Sequence, residues 1–399
     1  MRPVYLDNNA TTRVDREVVE AMLPFFTEHF GNASSMHAFG AAVGGGLKAA
    51  RRSVQELLGA EFDHELVFTS GGTEADNTAL LSALESQTGR DEIVTSSVEH
   101  PAILSLCKHL TETRGTKVHY IPVDGRGRLN LDAYRQALGQ RTAIASVMWA
   151  NNETGTLFPV EKLAELAHEA GALFHTDAVQ AVGKIPVNLR ESEIDLLSLS
   201  GHKLHGPKGI GALYVRRGVR MKALLRGGHQ ERGRRAGTEN IPGIVGLGKA
   251  AELALRHMPD EQARVRALRD RLEQGLLKIE RSLVTGDPEQ RLPNTANVAF
   301  EFIEGEAILL MLNRAGIAAS SGSACTSGSL EPSHVLRAMN IPYTAAHGAI
   351  RFSFSRDNDE ADVDQVLGAM PGLIAKLRAL SPFWRDENSP QSTFQPAYA

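Results

Sequence analysis

Short apolar segments alternate with amphipathic segments of helical length between about residues 50 and 215. The first, Glu65-Leu66-Val67-Phe68-Thr69, predicts a strand, and the turn Ser70-Gly71-Gly72 follows it. A helix is predicted to begin near Thr73, because Glu74 then lies at the positive end of the helix dipole. The other predicted strands are Glu92-Ile93-Val94-Thr95, Val118-His119-Tyr120-Ile121, Ala143-Ile144-Ala145-Ser146-Val147-Met148, Leu173-Phe174-His175-Thr176-Asp177, Leu196-Leu197-Ser198-Leu199-Ser200 and Gly211-Ala212-Leu213-Tyr214-Val215. Strands that alternate with helices predict a mostly parallel α/β sheet, with helices on both faces and an active site at the carboxyl ends of the strands.

The pattern changes after Gly246. Residues 247 to 285 are rich in Ala, Leu, Arg and Glu, which predicts long helices. Asn297-Val298-Ala299-Phe300-Glu301-Phe302 and Ile350-Arg351-Phe352-Ser353-Phe354-Ser355 alternate like strands with one exposed face. This second part is therefore expected to form a smaller α+β domain, and the polar stretch 385–399 is expected to be a disordered tail.

Length and composition restrict the class of protein further. A chain of 399 residues suits two domains, and 42% hydrophobic and 23% charged residues are ordinary for a globular protein. The net charge of -4 gives no electrostatic reason to expect nucleic acid or an anionic membrane as a partner. The sequence shows neither a signal peptide nor an apolar run of about 18 to 20 residues. With only two cysteines, the chain is expected to be cytoplasmic.

The strongest local signal is a lysine just after an apolar strand, in Ser200-Gly201-His202-Lys203. Desolvation and neighbouring groups lower the pKa of a lysine in such a place, so that its neutral amine becomes available for a Schiff base. The alternative is a surface lysine in a glycine-rich loop, and periodicity alone does not decide between the two.

Two further segments suit the binding of a phosphorylated cofactor. Ser70-Gly71-Gly72-Thr73-Glu74 places a glycine-rich turn at a helix start, where backbone N–H groups and the Thr73 hydroxyl make a phosphate cradle. Ser200 and His202 are candidate additional donors. Glycines also form ordinary strand-to-helix turns, so this motif indicates phosphate binding only in combination with the other phosphate donors.

Asp177 and His100 each follow a predicted strand. A buried carboxylate at Asp177 would pair with a protonated pyridine nitrogen, although capping a helix is an equally good reading of an Asp at this boundary. His100 would stack on a cofactor ring or move protons near neutral pH, whereas a lone histidine is more often structural.

The two cysteines differ in their surroundings. Cys325 lies among Ser, Gly, Ala and Thr between Ser320 and Ser329, which predicts an exposed flexible loop and a candidate nucleophile. Cys107 lies in an apolar stretch and is expected in the core. No Cys, His and carboxylate set has metal-ligand spacing, so no intrinsic metal site is expected. Gly44-Gly45-Gly46 lies in a helical stretch and lacks the Lys-Ser/Thr of a nucleotide loop.

Taken in order, these motifs resemble those of the cysteine desulfurases with the class V aminotransferase fold, the NifS/IscS family. The match runs from Tyr5-Leu6-Asp7-Asn8-Asn9-Ala10-Thr11-Thr12 to Ser381-Pro382-Phe383-Trp384. Its most specific parts are Ser200-Gly201-His202-Lys203 and Ser321-Gly322-Ser323-Ala324-Cys325-Thr326-Ser327. Asn8-Asn9, Gly328-Ser329-Leu330-Glu331-Pro332-Ser333-His334 and Pro342-Tyr343-Thr344-Ala345-Ala346-His347 are more similar to the NifS branch, which serves nitrogen fixation.

The resemblance implies an enzyme of fold type I that depends on pyridoxal 5'-phosphate. It implies a large domain at 15–258 with a seven-stranded sheet, and a small domain at 1–14 and 259–384 that carries Cys325. The implied roles are Lys203 as the Schiff-base lysine, His100 as ring-stacking acid/base, Asp177 as partner of the pyridine nitrogen, Gln180 as ligand of the ring hydroxyl, Gly72, Thr73, Ser200 and His202 at the phosphate, Thr238 at the phosphate of the neighbouring subunit, Arg351 at the substrate carboxylate, and Asn152 near cofactor and substrate.

The implied reaction converts L-cysteine to L-alanine and leaves the sulfur on Cys325 as a persulfide, after Lys203 has removed the α proton. The implied partners are a second copy of the chain in a homodimer and a NifU/IscU-like iron–sulfur scaffold, with which Cys325 would transiently share a cluster. Three alternatives remain open at this stage: a housekeeping IscS-type desulfurase, a selenocysteine lyase or transaminase on the same fold, and a non-enzymatic sulfur carrier.

Overall fold

The computed structural model describes residues 2–321 and 332–384. In chain order its strands are β1 (Val4–Tyr5), β2 (Leu66–Thr69), β3 (Glu92–Ser96), β4 (Lys117–Ile121), β5 (Thr142–Ser146), β6 (Leu173–Asp177), β7 (Leu196–Ser200), β8 (Gly211–Val215), β9 (Ser282–Val284), β10 (Thr295–Phe300), β11 (Ile317–Ala318) and β12 (Ala349–Ser353). A seven-stranded sheet has the order β2-β8-β7-β6-β5-β3-β4, and within it β8 alone runs antiparallel to its neighbours. The mostly parallel α/β sheet predicted from the sequence is confirmed.

Both faces of this sheet are buried. Because successive side chains of a strand point to opposite faces, alternate residues enter two different hydrophobic clusters. Residues of the first face are Val67, Ile93, Ile144, Leu196 and Leu213. Residues of the second face are Phe68, Val94, Ala145, Leu197 and Ala212. The near-continuous apolar character of these strands therefore follows from helices that cover the sheet on both sides.

The helices are α1 (Arg16–Met22), α2 (Pro24–Thr27), α3 (Ala38–Leu58), α4 (Gly72–Ser86), α5 (Pro101–Arg114), α6 (Leu131–Ala137), α7 (Val160–Glu169), α8 (Ile241–Leu276), α9 (Gly305–Arg314), α10 (His334–Ala338), α11 (Tyr343–Ala346) and α12 (Glu360–Leu380). Residues of α4 and α5 share the cluster on the first face, whereas residues of α3, α7 and the first half of α8 share that on the second. None of the described helices has the length and apolar character needed to cross a membrane.

A second, smaller sheet has the antiparallel order β12-β10-β9, and β1 pairs in parallel with β11. One face of this sheet packs with the second half of α8, with α9 and with α12 in a separate hydrophobic cluster that also holds Val4 and Leu6. The N-terminal segment thus packs with residues from the far end of the chain. The exact domain boundaries at 14/15 and 258/259 remain a prediction.

The prediction that β10 and β12 each have one exposed face is wrong. Every residue of both strands is buried. The polar positions are directly opposite each other, Thr295 to Ser353 and Asn297 to Arg351, and they pack against other protein segments instead of water. Ser353 Oγ accepts a hydrogen bond from the Asn9 backbone N–H. A period of two separates a polar from an apolar face, but it does not say whether the polar face meets water or a polar protein surface.

The long helices predicted over 247–285 are in part corrected. A single helix, α8, continues through Pro259 to Leu276, and Ser282–Val284 form β9 instead of helix. The glycines at 44–46 lie within α3, as expected. A Cβ atom on Gly46 would come within 2.6 Å of the Phe25 ring, so this glycine permits close packing, while nothing in the structure explains Gly44 and Gly45.

Candidate active site

Three predicted site residues lie at the carboxyl ends of strands that run in the same direction. Asp177 ends β6, Lys203 is the last residue of the short 3₁₀ turn that follows β7, and His100 lies between β3 and α5. The N-terminus of α4, at Gly72, follows β2 at the same edge of the sheet. Since strands of the same direction end at a common edge, the topology brings these distant residues to one site.

The amine of Lys203 is held by the N-terminal segment. Its Nζ donates to the main-chain oxygen of Asn9 at 2.5 Å and to that of Ala10 at 2.8 Å. The residue is partly buried, so it is not the exposed surface lysine of the alternative interpretation. An amine that is oriented by carbonyl oxygens and shielded from bulk water is well placed for covalent chemistry.

Asp177 is buried, with one carboxylate oxygen already engaged. Its Oδ1 accepts from the Val179 backbone N–H at 2.9 Å within a turn. No described helix begins here, so the helix-capping interpretation of Asp177 is wrong. Burial raises the pKa of Asp177, whereas the nearby His100, the hydrogen bond from the Val179 N–H and Lys203 act against this rise. A cationic partner at the other oxygen would favour the ionised form, which is what a carboxylate facing a pyridinium nitrogen requires.

His100 has one ring nitrogen fixed by the backbone. Its Nδ1 accepts from the Ala102 N–H at 3.1 Å and so caps α5. Burial lowers the pKa of His100; Asp177 opposes this effect, and Lys203 and His334 add to it. The neutral ring therefore carries its proton on Nε2, the nitrogen that is left for a ligand or a proton transfer.

The predicted phosphate ligands lie around the start of α4. A Cβ atom on Gly72 would lie 3.8 Å from Ser200 Cβ, so the turn and the end of β7 are adjacent. Thr73 is exposed in the first turn of α4, whereas Ser200 is buried. His202 contacts the Thr11 hydroxyl through Nδ1 at 3.1 Å, and burial together with nearby lysines lowers its pKa to about 4. A neutral His202 would bind phosphate as a hydrogen-bond donor.

Thr238 stands apart from this group. It is exposed on the segment before α8, and no hydrogen bond joins its hydroxyl to the other predicted phosphate ligands in the described part of the chain. An exposed position is compatible with a role towards another subunit, which stays a prediction.

Arg351 lies in the buried polar face of the smaller sheet. Its side chain is nearly inaccessible, with Nη1 donating to the main-chain oxygen of Asn152 at 3.0 Å and Nη2 to Asp7 Oδ1 at 2.8 Å. Its Nε has no hydrogen-bond partner among the residues at 2–321 and 332–384. A buried guanidinium donor without a hydrogen-bond partner suits an anion, and a carboxylate matches the guanidinium geometry, but the role of Arg351 towards a substrate carboxylate stays a prediction.

Cys325 belongs to the segment 322–331, which lies outside the described residues. The described residues on either side of it contact the site. Ser320 exchanges backbone hydrogen bonds with Arg351, and Ser333 Oγ donates to Glu153 Oε2 at 2.5 Å. Cys107 is buried in α5, as predicted, and burial raises the pKa of its thiol to about 12.

Comparison with known proteins identifies the family. The family model for class V aminotransferases matches residues 4–366. The chain belongs to the class V aminotransferase family. It is 77% identical, over the full length of both chains, to a cysteine desulfurase of Gluconacetobacter diazotrophicus, and 62% identical, again over both full lengths, to the cysteine desulfurase NifS of Azotobacter vinelandii. A solved structure titled NIFS-LIKE PROTEIN matches with a TM-score of 0.88 and 39% identity, over 94% of this chain and all of that one.

Members of the class V aminotransferase family use pyridoxal 5'-phosphate, and the side chains at this site fit that group. The structure offers a partly buried amine at Lys203, a buried carboxylate at Asp177, and a hydroxyl and glycine-rich cluster at the start of α4. These are the three functions needed by an aldehyde, a pyridine nitrogen and a phosphate. The buried Arg351, whose Nε has no partner in the described part of the chain, is compatible with the predicted binding of a substrate carboxylate.

Sequence reasoning missed the residue that connects this site, Asn9. Its main-chain oxygen accepts from both Lys203 Nζ and Gln180 Nε2, the latter at 2.9 Å. Its Nδ2 donates to the Asn152 oxygen at 3.1 Å, and its Oδ1 accepts from Lys184 Nζ at 3.1 Å. The Asn8-Asn9 pair was visible as a family motif, but no spacing in the sequence relates it to residues more than 140 positions away.

Glu99, just before His100, is a fully buried acid that the sequence analysis did not single out. It accepts from the Met148 backbone N–H at 3.0 Å and from the Ser96 hydroxyl. Burial raises the pKa of Glu99 to about 8, the hydrogen bonds from Ser96 and Met148 act against this, and Asp177 adds to it. Glu99 is therefore mostly protonated at neutral pH and adds little negative charge beside His100.

This elevated pKa predicts a pH dependence of stability. The folded state keeps a proton on Glu99 that the unfolded chain loses above its ordinary pKa of 4.5, so this contribution to the free energy of unfolding falls as the pH rises towards 8. The slope is at most about 1.4 kcal/mol per pH unit. We expect Glu99→Gln to remove this pH dependence. The thermal midpoints of the two proteins should be similar at pH 5, and the midpoint of the wild type should fall relative to that of the variant as the pH approaches 8. Parallel pH curves for the two proteins would contradict the assignment.

Proposed function

We propose that this protein is a cysteine desulfurase that converts L-cysteine to L-alanine and transfers the sulfur to Cys325. One observation carries the proposal: the hydrogen-bond chain that joins an amine to an anion site. Lys203 Nζ donates to the Asn9 oxygen, Asn9 Nδ2 donates to the Asn152 oxygen, and the same oxygen accepts from Arg351. A reactive amine and a carboxylate-binding guanidinium held in one network suit an amino-acid substrate.

Each described residue has a defined task in this proposal. Arg351 binds the substrate carboxylate, and Asn152 lies beside both cofactor and substrate. Asp177 would pair with the ring nitrogen and Gln180 with the ring oxygen, while Gly72, Thr73, Ser200 and His202 would hold the phosphate. Pyridoxal 5'-phosphate, when bound, supplies an electron-withdrawing ring that stabilises negative charge on the carbon next to the substrate nitrogen.

Proton and sulfur transfer fall to the protein's own groups. The Lys203 amine takes the proton from Cα of L-cysteine, and His100, through Nε2, is the second group able to move a proton. The Cys325 thiolate attacks the substrate sulfur: the Cβ–S bond breaks with its electron pair left on carbon, an S–S bond forms, Cβ gains a proton to give the methyl group of alanine, and the Lys203 ammonium returns a proton to Cα. The sulfur remains as a persulfide on Cys325.

The experiment that tests this function uses the two cysteines as a matched pair. Wild-type protein incubated with pyridoxal 5'-phosphate and L-cysteine should release L-alanine, and mass spectrometry should find one added sulfur on the Cys325 peptide. Cys325→Ala should lower alanine formation at least about 100-fold, because the leaving sulfur loses its acceptor. Cys107→Ala should stay within about threefold of the wild type, since a buried thiol is not a nucleophile.

The result for Cys325→Ala also separates the alternatives. Alanine production that persists at more than a tenth of the wild-type rate would contradict the persulfide step and favour a lyase that releases sulfur directly. No alanine from the wild type would favour a transaminase or a sulfur carrier.

A homodimer in which Thr238 reaches the partner's cofactor phosphate is part of the same proposal. Its support is an exposed Thr238 and a series of exposed apolar side chains between α1 and the start of α3, of which Phe30 is 65% and Phe39 58% accessible. Such a concentration on one segment is unusual for a monomer surface. We also propose that the sulfur passes to a NifU/IscU-like scaffold for iron–sulfur clusters, in particular those of nitrogenase, because the motifs of this chain resemble those of the NifS branch.

A further inference from the structure

Lys184 is a second lysine in the active-site region, and the mechanism above does not use it. It follows β6 in a tight turn, where its backbone N–H donates to the Ala181 oxygen at 3.0 Å. Gly183 makes this turn with a φ of +77°, a conformation that residues with a Cβ rarely adopt. On the other side, Gln262 Nε2 of α8 donates to the Lys184 oxygen at 2.7 Å. The backbone of Lys184 is thus fixed between the turn that follows β6 and the helix α8.

The amino group of Lys184 contacts two amide oxygens. Its Nζ donates to Gln180 Oε1 at 2.7 Å and to Asn9 Oδ1 at 3.1 Å. No carboxylate lies within ion-pair distance in the described part of the chain, and Glu261 is the acid whose charge acts on it. Burial, with Lys203 and Arg351 nearby, holds the pKa of Lys184 well below its usual value. A lysine kept in such a place without an ion pair costs stability, which indicates a functional reason for it.

The two contacts fix the direction of the Gln180 amide. A side-chain amide has one accepting and one donating end, and a donor at Lys184 requires the oxygen to face it. The donating Nε2 then points the other way, to the Asn9 oxygen that also accepts from Lys203 Nζ. The Asn9 oxygen requires the same orientation from the other side, because a carbonyl oxygen can only accept. Without Lys184 that single contact is left to hold the Gln180 amide with its N–H group on the side of Lys203.

We propose that Lys184 is a positioning residue, which orients the Gln180 amide and the Asn9 turn so that Gln180 presents its N–H group to the ring oxygen of the cofactor. This inference rests on the proposed function, because it assumes that Gln180 binds pyridoxal 5'-phosphate. It assigns no reacting atom to Lys184, which acts through Gln180 and Asn9.

The test is the affinity of the apoprotein for pyridoxal 5'-phosphate, followed by absorbance and tryptophan fluorescence. Lys184→Met keeps the length of the side chain but removes the donor, and it should weaken binding about tenfold. Gln180→Ala should have a similar effect, and the double variant should be within about twofold of Gln180→Ala alone, because the two residues act on one contact. The matched control is Lys162→Met, an exposed lysine on α7 paired with Glu165, which should bind like the wild type.

Three outcomes would overturn the proposal. The first is a dissociation constant for Lys184→Met within twofold of the wild type. The second is a double variant whose loss equals the product of the two single losses, which would mean that Lys184 does not act through Gln180. The third concerns Lys184→Arg, which retains a donor and should bind pyridoxal 5'-phosphate at least threefold more tightly than Lys184→Met. Equally weak binding by the two variants would show that only the shape of the side chain matters.

The same experiments separate this inference from the proposed function. Thermal unfolding of each apoprotein identifies variants that fail to fold, and Lys184→Arg then decides whether a donor restores binding. A wild-type protein that binds no pyridoxal 5'-phosphate, or makes no alanine from L-cysteine, would contradict the proposed function itself. A wild type that does both, beside a Lys184→Met variant with unchanged affinity, would overturn only the role of Lys184.

Discussion

Replacing Lys203 with alanine is expected to lower the rate of alanine formation from L-cysteine by a factor of about 10⁴ or more, the range seen when a group essential to covalent catalysis is removed. Two functions disappear together, since the amine both bonds the cofactor and takes the α proton. Lys184, the neighbouring lysine, does not replace it, because its Nζ is bound to Gln180 and Asn9 and its backbone is fixed by the turn at Gly183.

The measurement is the initial rate at saturating pyridoxal 5'-phosphate, together with borohydride reduction and mass spectrometry of the cofactor adduct. In the wild type the adduct should lie on the Lys203 peptide, and in the variant it should be absent. Lys208→Ala is the matched control, as Lys208 is exposed five positions later in the same glycine-rich segment. An adduct on another lysine, or a variant that keeps more than a hundredth of the wild-type rate, would contradict the assignment.

Most of the fold could be predicted from the sequence because its strands are buried on both faces. The strands β2, β3, β6, β7 and β8 are rich in apolar residues and buried almost throughout, and each lies near turn residues that mark its ends. A related reason made it possible to predict where Lys203, Asp177 and His100 lie. Polar residues directly after such strands meet at one edge of a parallel sheet. For these residues a local pattern and a general rule of topology were enough.

The remainder of the site depends on contacts that no local pattern encodes. Asn9 reaches Gln180, Lys184 and Lys203 because β1 pairs with β11 and brings the N-terminus across the sheet edge. The polar face of β10 and β12 was taken as solvent-exposed for the same reason, since the partner that covers it comes from the other end of the chain. The sequence did contain a sign of Lys184, because this lysine forms a Gly-Lys pair and lies four residues after Gln180. Its role could not be inferred without the position of Asn9.

The electrostatics around Asp177 depend on two buried acids, Asp76 and Glu99, whose pKa values are raised. Asp76 of α4 is fully buried, and burial together with the charge of Asp177 raises its pKa well above the usual value. Its neighbour His175 has a pKa lowered to about 3 by burial, so the 3.6 Å approach of His175 Nε2 to Asp76 Oδ1 joins two neutral groups. Since burial favours the neutral forms of Asp76 and Glu99, Asp177 is the acid of this group that a cationic ring nitrogen would keep ionised.

Asp177→Asn is therefore expected to lower the rate of alanine formation about 10³-fold, as the loss of a preorganised charge at a reacting group does. The amide would keep its oxygen on the Val179 N–H, which leaves its NH₂ group facing the ring nitrogen. Two donors then oppose each other, the ring nitrogen loses its proton, and the ring withdraws electrons less well. The rate and the cofactor absorbance spectrum, recorded across pH, should both change.

Asp76→Asn is the matched control, because it replaces a neutral acid by a neutral amide of the same shape. Asp76 lies on α4, whereas Asp177 lies at the end of β6. It should retain activity within about threefold and alter the unfolding free energy by less than about 1 kcal/mol, since no buried charge is created or removed. If Asp76→Asn were as damaging as Asp177→Asn, Asp76 would have to be ionised in the folded protein. The negative charge opposite the ring nitrogen would then be shared by two carboxylates, and the assignment of that charge to Asp177 alone would be wrong.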